Sequence, residues 1–146
     1  MTEDWENGGF GIYIHWPFCT AKCPYCDFNS HVRSNINQKQ WLKAYLNEIK
    51  RVSEKTSNRI LNSVFFGGGT PSLIEPSIIG DVLNEIQKHW KTKNNFEVTL
   101  EANPGSVDAK NFKAYKEAGV NRTSMGIQSL NTKDLKALGR THTVEE

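Results

Sequence analysis

The chain contains three cysteines, Cys19, Cys23 and Cys26, and all of them lie in the short stretch CTAKCPYC. An odd number of thiols cannot pair completely as disulfides, and three are one too few to close a tetrahedral metal site. Cysteine is often a small buried apolar residue, but a stretch that also contains Lys22 and Pro24 makes a poor hydrophobic core. This spacing therefore favours a metal centre or a catalytic site.

Two kinds of metal centre are compatible with these thiols. A zinc site of three cysteines and one histidine would need His15 or His31 as its fourth ligand, and zinc ligands are usually divided between two separated pairs. A cubane iron–sulfur cluster also accepts cysteine thiolates. Three protein ligands would leave its fourth iron open, so that this iron could bind and reduce a substrate directly. We expect a cluster rather than zinc, with the two histidines as hydrogen-bonding or surface residues.

The composition argues against several other classes of protein. The 146 residues carry 18 basic and 16 acidic side chains, mixed along the chain, for a net charge of +2. The sequence has no basic stripe of the kind that would indicate nucleic acid or an anionic membrane as a partner. It also has no apolar run that approaches the roughly 20 residues needed to span a bilayer. The first residues, MTEDWENGG, are too polar for a signal peptide. We expect one domain in the cytoplasm, where thiols stay reduced.

Hydrophobic patterns predict alternating strands and helices. Runs of β-branched and aromatic residues predict strands at 10–16, 61–66, 96–101 and 120–128. Apolar residues at helical spacing predict helices at 37–55, from Pro76 onward, before Gly119, and at 131–139. The side chains expected to face the core from the first three helices are Leu42, Tyr45, Leu46, Ile49, Val52, Ile79, Val82, Leu83, Ile86, Trp90, Phe112, Tyr115 and Ala118.

Residues that favour helix ends support these boundaries. Ser106 or Asp108 could cap the third helix, and Gly119 is a suitable stop for it. Asn131 is a plausible cap of the last helix, and Gly139 follows its last apolar residue. These signals place four helices between and after four strands.

The alternation of strand and helix, without hairpin turns between successive strands, predicts right-handed βαβ units and a parallel sheet. Such a sheet is either doubly wound or curled toward a barrel, and its ligands bind beyond the carboxyl ends of the strands. The residues suited to chemistry follow the strands in this way. The cysteines follow the first strand, GGGTP follows the second, and Glu101 and Gln128 end the third and fourth.

Taken singly, most of these residues have plain structural explanations. A run of glycines is usually a turn, and an isolated Glu101, Gln128 or Arg140 would be a surface residue. Tyr13 would be an ordinary half-buried aromatic residue of a strand. On their own, these residues do not define a functional site.

Six motifs in order resemble one family. CTAKCPYC has the C-x3-C-x2-C spacing of the radical S-adenosylmethionine (SAM) enzymes. The wider set YIHWPFC, CPYCDFNSH, GGGTPS, EANP, GIQS and LGRTH resembles the oxygen-independent coproporphyrinogen III oxidases and the related haem chaperones. The resemblance extends from about Gly11 to His142. It implies an α/β fold, the N-terminal portion of a partial (β/α)6 TIM-like barrel, with about four βα units present.

The resemblance also implies the cofactors and the residues that hold them. A 4Fe–4S cluster would be bound by Cys19, Cys23 and Cys26. The methionine amine and carboxylate of SAM would chelate the open iron, and an electron from the cluster would release a 5′-deoxyadenosyl radical. The residues that the resemblance assigns to SAM binding are Tyr13, Tyr25, Gly68, Gly69, Thr70, Glu101, Gln128 and Arg140.

Two features favour the haem-chaperone branch over the oxidases. The oxidases carry a further cysteine two places after the third cluster cysteine, where this chain has Phe28. They also have a sizeable N-terminal extension, whereas this chain reaches Gly11 almost at once. Haem or a porphyrinogen is the partner that the resemblance implies, with an electron donor such as flavodoxin or ferredoxin. Coproporphyrinogen oxidation is the alternative activity.

A third interpretation, of a different class, is that the chain has no independent activity. Residues 1–9 are expected to form an N-terminal tail and residues 10–146 a truncated core domain. The family barrel has six βα units and a C-terminal region that helps to recognise porphyrin, whereas only four strands are legible here. In that case we expect at best cluster assembly and weak binding of SAM.

Overall fold

The computed structural model describes residues 4–104 and 106–146, with residues 106–110 described by their backbone alone. In chain order the elements are α1 (Trp5–Gly8), β1 (Phe10–Trp16), β2 (Phe18–Cys19), β3 (His31–Val32), α2 (Gln38–Thr56), β4 (Ile60–Gly68), a 3-10 helix (Pro71–Leu73), α3 (Pro76–His89), β5 (Lys91–Ala102), α4 (Ser106–Glu117), β6 (Arg122–Met125) and α5 (Thr132–Ala137).

The four longer strands form one parallel sheet in the order β1-β4-β5-β6. The register aligns Tyr13 with Phe65, Phe65 with Thr99, and Thr99 with Arg122. Since each strand lies beside the next one of this set, with a helix after each, the sheet has the order of successive βαβ units. The predicted parallel sheet is confirmed.

The hydrophobic core lies between the sheet and the two longest helices, α2 and α3. Alternate residues of the central strands are buried on the side of the sheet that faces these helices, as a half-covered sheet requires. The buried side chains that form this layer include Ile14, Trp16, Ile49, Val64, Phe66, Ile79, Val82, Ile86, Val98, Leu100 and Tyr115. The core holds the strands in register and so aligns their carboxyl ends.

Several boundaries differ from the prediction. β5 begins at Lys91, before the expected Phe96, because its exposed polar first residues pair with β4, where Ile60 lies opposite Lys91. β6 is shorter than predicted and spans Arg122–Met125. The short elements α1, β2 and β3 were not predicted, since two to four residues are too few to show a hydrophobic period.

The predicted helix ends are mostly confirmed. The Asn131 side chain accepts a hydrogen bond from the backbone N of Lys133 at 2.9 Å, as an N-cap does. Gly119 has a φ of +113°, which favours glycine, and it follows α4 as expected. The caps predicted at Ser106 or Asp108 involve side chains that lie outside the described residues.

Candidate functional site

A cavity of about 360 Å³ lies at the carboxyl ends of the strands. All of the site residues predicted from the sequence line it, with the exception of Tyr13. The thiols come from one side, the residues after β4 and β5 form the floor, and the segments after β6 and α5 close the other side. The structure therefore brings together residues that are more than 100 positions apart, since Arg140 Nη1 lies 3.6 Å from the sulfur of Cys23.

The cysteine loop is held at both of its ends by backbone pairing. β2 and β3 form a two-stranded parallel ladder, with Cys19 opposite Val32. Between them, the backbone N of Cys26 donates to the carbonyl of Cys23 at 3.1 Å and forms a tight turn. Cys19 is buried, Cys23 and Cys26 are half-buried, and all three thiols are free. The loop thus presents reduced sulfur to the cavity from a defined backbone.

His15 fixes the far part of this loop. Its Nε2 lies 3.0 Å from the carbonyl oxygen of Asn29, so that Nε2 carries the proton. Its Nδ1 then accepts from the hydroxyl of Tyr13 at 3.3 Å. His31 is exposed on β3, and its backbone N donates to the carbonyl of Pro17. Both histidines lie where hydrogen-bonding and surface residues were expected.

The thiols are not arranged as ligands of a single ion. Among the side chains that the structure describes, no three of the types His, Cys, Asp or Glu converge on one point. Three ligands of zinc would have to converge in this way. The three ligands of a cubane each reach a different iron, so that a cluster site does not require such convergence.

Gly68 and Gly69 are required by the packing of the protein itself. A Cβ on Gly69 would lie 2.5 Å from the carbonyl oxygen of Phe18 and 2.9 Å from the sulfur of Cys19. Gly68 has a φ of +118°, and its Cβ would lie 2.7 Å from the carbonyl oxygen of Trp16. The glycines therefore let the turn after β4 pass directly against the cysteine loop. Both glycines also line the cavity.

Glu101 reaches the same turn from β5. Its carboxylate oxygen accepts a hydrogen bond from the backbone N of Gly68 at 3.1 Å. Thr70 follows the turn and is buried, with its backbone N donating to the carbonyl of Phe18 at 2.8 Å. The remaining lone pairs of the carboxylate are available to a donor in the cavity, such as an amine or a hydroxyl group.

The end of α5 positions Arg140. Gly139 has a φ of +64°, its backbone N donates to the carbonyl of Lys136 at 3.0 Å, and the backbone N of Arg140 donates to the carbonyl of Leu135 at 2.9 Å. These two bonds form a Schellman cap, which turns the chain sharply after the helix. A Cβ on Gly139 would lie 3.0 Å from the ring of Pro24, so the cap packs on the cysteine loop.

The guanidinium of Arg140 joins three parts of the site. Its Nη2 donates to the Asn103 side-chain oxygen and to the Gly126 carbonyl, each at 2.7 Å. Its Nη1 lies 3.4 Å from the hydroxyl of Tyr25 and 3.6 Å from the sulfur of Cys23. The Nε is buried and has no hydrogen-bond partner among the described residues. The guanidinium is thus held in place by its Nη atoms, and its Nε–H remains available to donate a hydrogen bond to a ligand.

Asn103 is a site residue that the sequence did not reveal. It lies after β5, lines the cavity, and donates from its side-chain nitrogen to the hydroxyl of Thr70 at 3.4 Å. It therefore links Thr70 to Arg140. The only signal available in the sequence was its place in the motif EANP, directly after the strand end.

Gln128 lies in a constrained loop after β6. Its φ of +69° is unusual for a residue with a side chain. His142, which is buried, has its Nε2 3.2 Å from the carbonyl of the preceding residue, Ile127. A strained backbone beside a cavity is a frequent feature of functional sites, and Gln128 lines this one.

The two tyrosines differ in their placement. Tyr25 lines the cavity. Its pKa is raised, mainly by burial and to a lesser extent by the hydrogen bond with Cys23, whereas the positive charge of Arg140 lowers it. Tyr13 lies on β1, where its ring is 6.1 Å from that of Phe65 and is 56% exposed. Burial and then the charge of Glu101 raise the pKa of Tyr13. The structure thus places Tyr13 beside the site and does not bring it into the cavity.

The donor set fits an iron–sulfur cluster and a nucleotide with a charged amino-acid end. Three free thiols come from one loop, and the buried Nε of Arg140 lacks a partner among the described residues. Glu101 and Arg140 bring one carboxylate and one guanidinium to the lining of the same cavity, and these groups suit an amine and a carboxylate.

A model of the radical SAM superfamily matches residues 13–146. The chain therefore belongs to the radical SAM superfamily, as the motifs predicted. Membership implies, in general, a 4Fe–4S cluster and SAM. In the described part of the chain, no helix has the length and apolar character needed to cross a membrane.

Curated relatives resemble the chain over most of its length. It is 46% identical over 140 residues to the haem chaperone HemW of Haemophilus influenzae and 40% identical over 136 residues to that of Escherichia coli. It is also 40% identical to the mitochondrial radical S-adenosyl methionine domain-containing protein 1 of Danio rerio. In each comparison 92% of this chain is covered, but only 37%, 36% and 30% of the relative.

A solved structure confirms the fold. The coproporphyrinogen III oxidase HemN of Escherichia coli, described as a radical SAM enzyme, aligns with a TM-score of 0.82 and 25% identity. The alignment covers 92% of this chain and 31% of that one. The four parallel strands therefore correspond to part of a radical SAM TIM-like fold, as the sequence predicted.

Proposed function

We propose that this chain forms part of a haem chaperone-like radical SAM protein and binds a 4Fe–4S cluster and SAM at the carboxyl edge of its sheet. The observation that carries the proposal is the convergence of the three thiols, the glycine turn, Glu101, Gln128 and Arg140 on one cavity. The chain spans about a third of the length of the curated relatives that it matches, and the activity proposed is that of a whole protein of this kind.

Cys19, Cys23 and Cys26 would hold the cluster by three of its irons. The β2–β3 ladder and the bond from His15 to Asn29 fix the loop before the cluster is present. The glycine turn after β4 packs against the start of this loop, and Arg140 contacts it at Cys23.

The SAM molecule would lie between the cysteine loop and the strand ends. Glu101 would accept hydrogen bonds from its amine or ribose, and the unpaired Nε of Arg140 would donate to its carboxylate or ribose. Gly68, Gly69 and Thr70 would form the floor, Gln128 the wall after β6, and Tyr25 the rim. Tyr13 would contact SAM only from the edge of the site.

The chemistry that a cluster with one open iron supplies in this family is the one-electron reduction of bound SAM. The electron would come from a donor such as flavodoxin or ferredoxin. We infer from the HemW relatives, which are named haem chaperones, that haem is the molecule transferred. The cytoplasmic location stays a prediction.

The second candidate is the oxidation of coproporphyrinogen III, because the matching solved structure is that of HemN. Phe28 argues against it, since the oxidases have a cysteine at that place. Phe28 lines the cavity and is 62% exposed, so a missing sulfur there would alter the site directly. We therefore favour the chaperone.

Anaerobic reconstitution tests the proposed cofactors. The chain is incubated with iron and sulfide without oxygen, and the reduced product is examined by electron paramagnetic resonance (EPR) before and after addition of SAM. We expect four irons per chain and a spectrum that SAM changes, because the open iron gains ligands. Cys23→Ser should greatly reduce cluster content. The matched control is Thr20→Ser, an exposed residue of the same loop, which should retain it.

The outcomes separate the alternatives. Bound zinc without iron, or a cluster whose EPR spectrum does not change when SAM is added, would contradict the proposed cofactors. Haem binding in an absorbance titration without loss of carboxyl groups from coproporphyrinogen would support the chaperone, and decarboxylation by the chain or its longer form would support the oxidase. Production of 5′-deoxyadenosine at the rate of a full-length relative would exclude the inactive fragment.

A further inference from the structure

Ser30 is a buried serine at the edge of the cysteine loop. Ser30 is 6% exposed, and its hydroxyl has no hydrogen-bond partner among the described residues. It lines the same cavity as the three thiols. It lies within the motif CPYCDFNSH, four positions after Cys26, but it was not among the site residues predicted from the sequence.

The backbone on both sides of Ser30 is fixed. The preceding carbonyl, that of Asn29, accepts a hydrogen bond from His15 at 3.0 Å. The following backbone N, that of His31, donates to the carbonyl of Pro17 at 2.7 Å. These two bonds fix the backbone position of Ser30 beside the cysteine loop.

Ser30 directly precedes β3, whose Val32 pairs with Cys19 on β2. Ser30 and Cys19 are both buried and both lie in the wall of the cavity.

A buried hydroxyl without a partner costs free energy, and native structures keep few of them. Such a group beside a binding site is explained when the bound molecule supplies the missing partner. The three thiols line the same cavity as Ser30, and the sulfur atoms of an iron–sulfur cluster accept hydrogen bonds.

We propose that the Ser30 hydroxyl donates a hydrogen bond to a sulfur of the cluster, either a cysteine thiolate or a sulfide, and so raises the reduction potential of the cluster. The inference rests on the proposed function, because it requires that the cluster forms. A donor aimed at sulfur stabilises the reduced state more than the oxidised state, since the reduced cluster carries one more negative charge.

The test compares Ser30→Ala with the unchanged chain. The reduction potential of the reconstituted cluster is measured without SAM, by redox titration followed by EPR. Pulsed EPR after exchange into deuterated water then detects exchangeable hydrogens near the cluster. The matched control is Ser53→Ala, which removes a buried hydroxyl that donates to the carbonyl of Lys50 at 2.7 Å on α2, away from the cavity.

We expect Ser30→Ala to shift the potential to a more negative value and to lose one exchangeable deuteron signal. The thermal midpoint of the cluster-free variant should equal or exceed that of the unchanged chain, because an unsatisfied hydroxyl has been removed. Ser53→Ala should lower the thermal midpoint and leave both the potential and the deuteron signals unchanged.

Three results would overturn the proposal. If the unchanged chain forms no cluster, both the proposed function and this inference fail. If the cluster forms and Ser30→Ala has the same potential and deuteron signals, this inference alone fails. If the potential is unchanged while the affinity for SAM falls, the hydroxyl binds the nucleotide and the assignment to sulfur is wrong.

Discussion

The guanidinium of Arg140 donates a hydrogen bond to the side-chain oxygen of Asn103 at 2.7 Å, across a separation of 37 residues. Asn103 donates in turn to the hydroxyl of Thr70 at 3.4 Å. The segment after α5 is thereby tied to the ends of β4 and β5. Arg140 also contacts the cysteine loop, so this chain of contacts connects every wall of the proposed site.

The pair of Arg140 and Asn103 should be energetically coupled. In a double-mutant cycle, we expect Arg140→Ala and Asn103→Ala to show an interaction free energy of about 1–3 kcal/mol, as hydrogen bonds to charged groups do. Urea unfolding of the cluster-free chain measures it. Strictly additive free energies of unfolding would show that the contact contributes nothing to stability.

Gly69→Ala should disturb the cysteine loop. The new Cβ would lie 2.5 Å from the carbonyl oxygen of Phe18, so β2 must move, and we expect destabilisation by about 1–3 kcal/mol with reduced cluster content. Thermal unfolding and iron analysis measure the two effects. The control is Gly8→Ala, where nothing lies within 4 Å of the added Cβ. If Gly69→Ala and Gly8→Ala had the same thermal stability and the same iron content, the close packing at Gly69 would not explain the absence of a side chain there.

Gly139→Ala should weaken binding of SAM through Arg140. A residue with a side chain is strained at a φ of +64°, and relief of the strain would move the adjacent guanidinium. We expect a loss of stability of about 1 kcal/mol and a lower affinity in a SAM titration.

Gly119→Ala provides the matched comparison for this variant. It imposes at least as much strain at a φ of +113°, and its Cβ would contact Leu83 in the core at 3.1 Å. It should lose stability and keep its affinity for SAM. An equal loss of affinity in both variants would attribute the effect to general destabilisation.

Tyr45 should make stability depend on alkaline pH. Its hydroxyl donates to the carbonyl of His15 at 2.7 Å, and burial raises its pKa well above the ordinary value. A raised pKa in the folded state means that the stabilisation is complete below pH ~10, the value of the unfolded chain, and is lost as the pH rises further.

Tyr45→Phe tests this dependence. We expect it to cost about 1 kcal/mol at pH 8, where the hydrogen bond is lost. Above pH ~10 the difference between the variant and the unchanged chain should shrink, because the phenylalanine cannot ionise. Denaturant unfolding at several pH values measures it. A constant difference over the whole range would show that Tyr45 does not titrate on unfolding.

The regular elements and the place of the site could be predicted because they depend on local patterns. The apolar spacing within 37–55 specified α2, and the β-branched runs specified the cores of β1, β4 and β5. The polar start of β5 could not be predicted, since those residues are extended only because they pair with β4. β2 and β3 could not be predicted for the same reason, since each is extended only because it pairs with the other.

Local sequence determined the three thiols, the parallel order of strands and helices, and the family, because spacing and periodicity are properties of neighbouring residues. Tertiary structure alone revealed that Ser30 is buried in the cavity wall without a hydrogen-bond partner among the described residues and that Asn103 joins Thr70 to Arg140. It also decided that Gly69 makes room for the chain's own cysteine loop and that Tyr13 lies beside the cavity. Burial and contacts between distant segments arise only when the strands are brought into register.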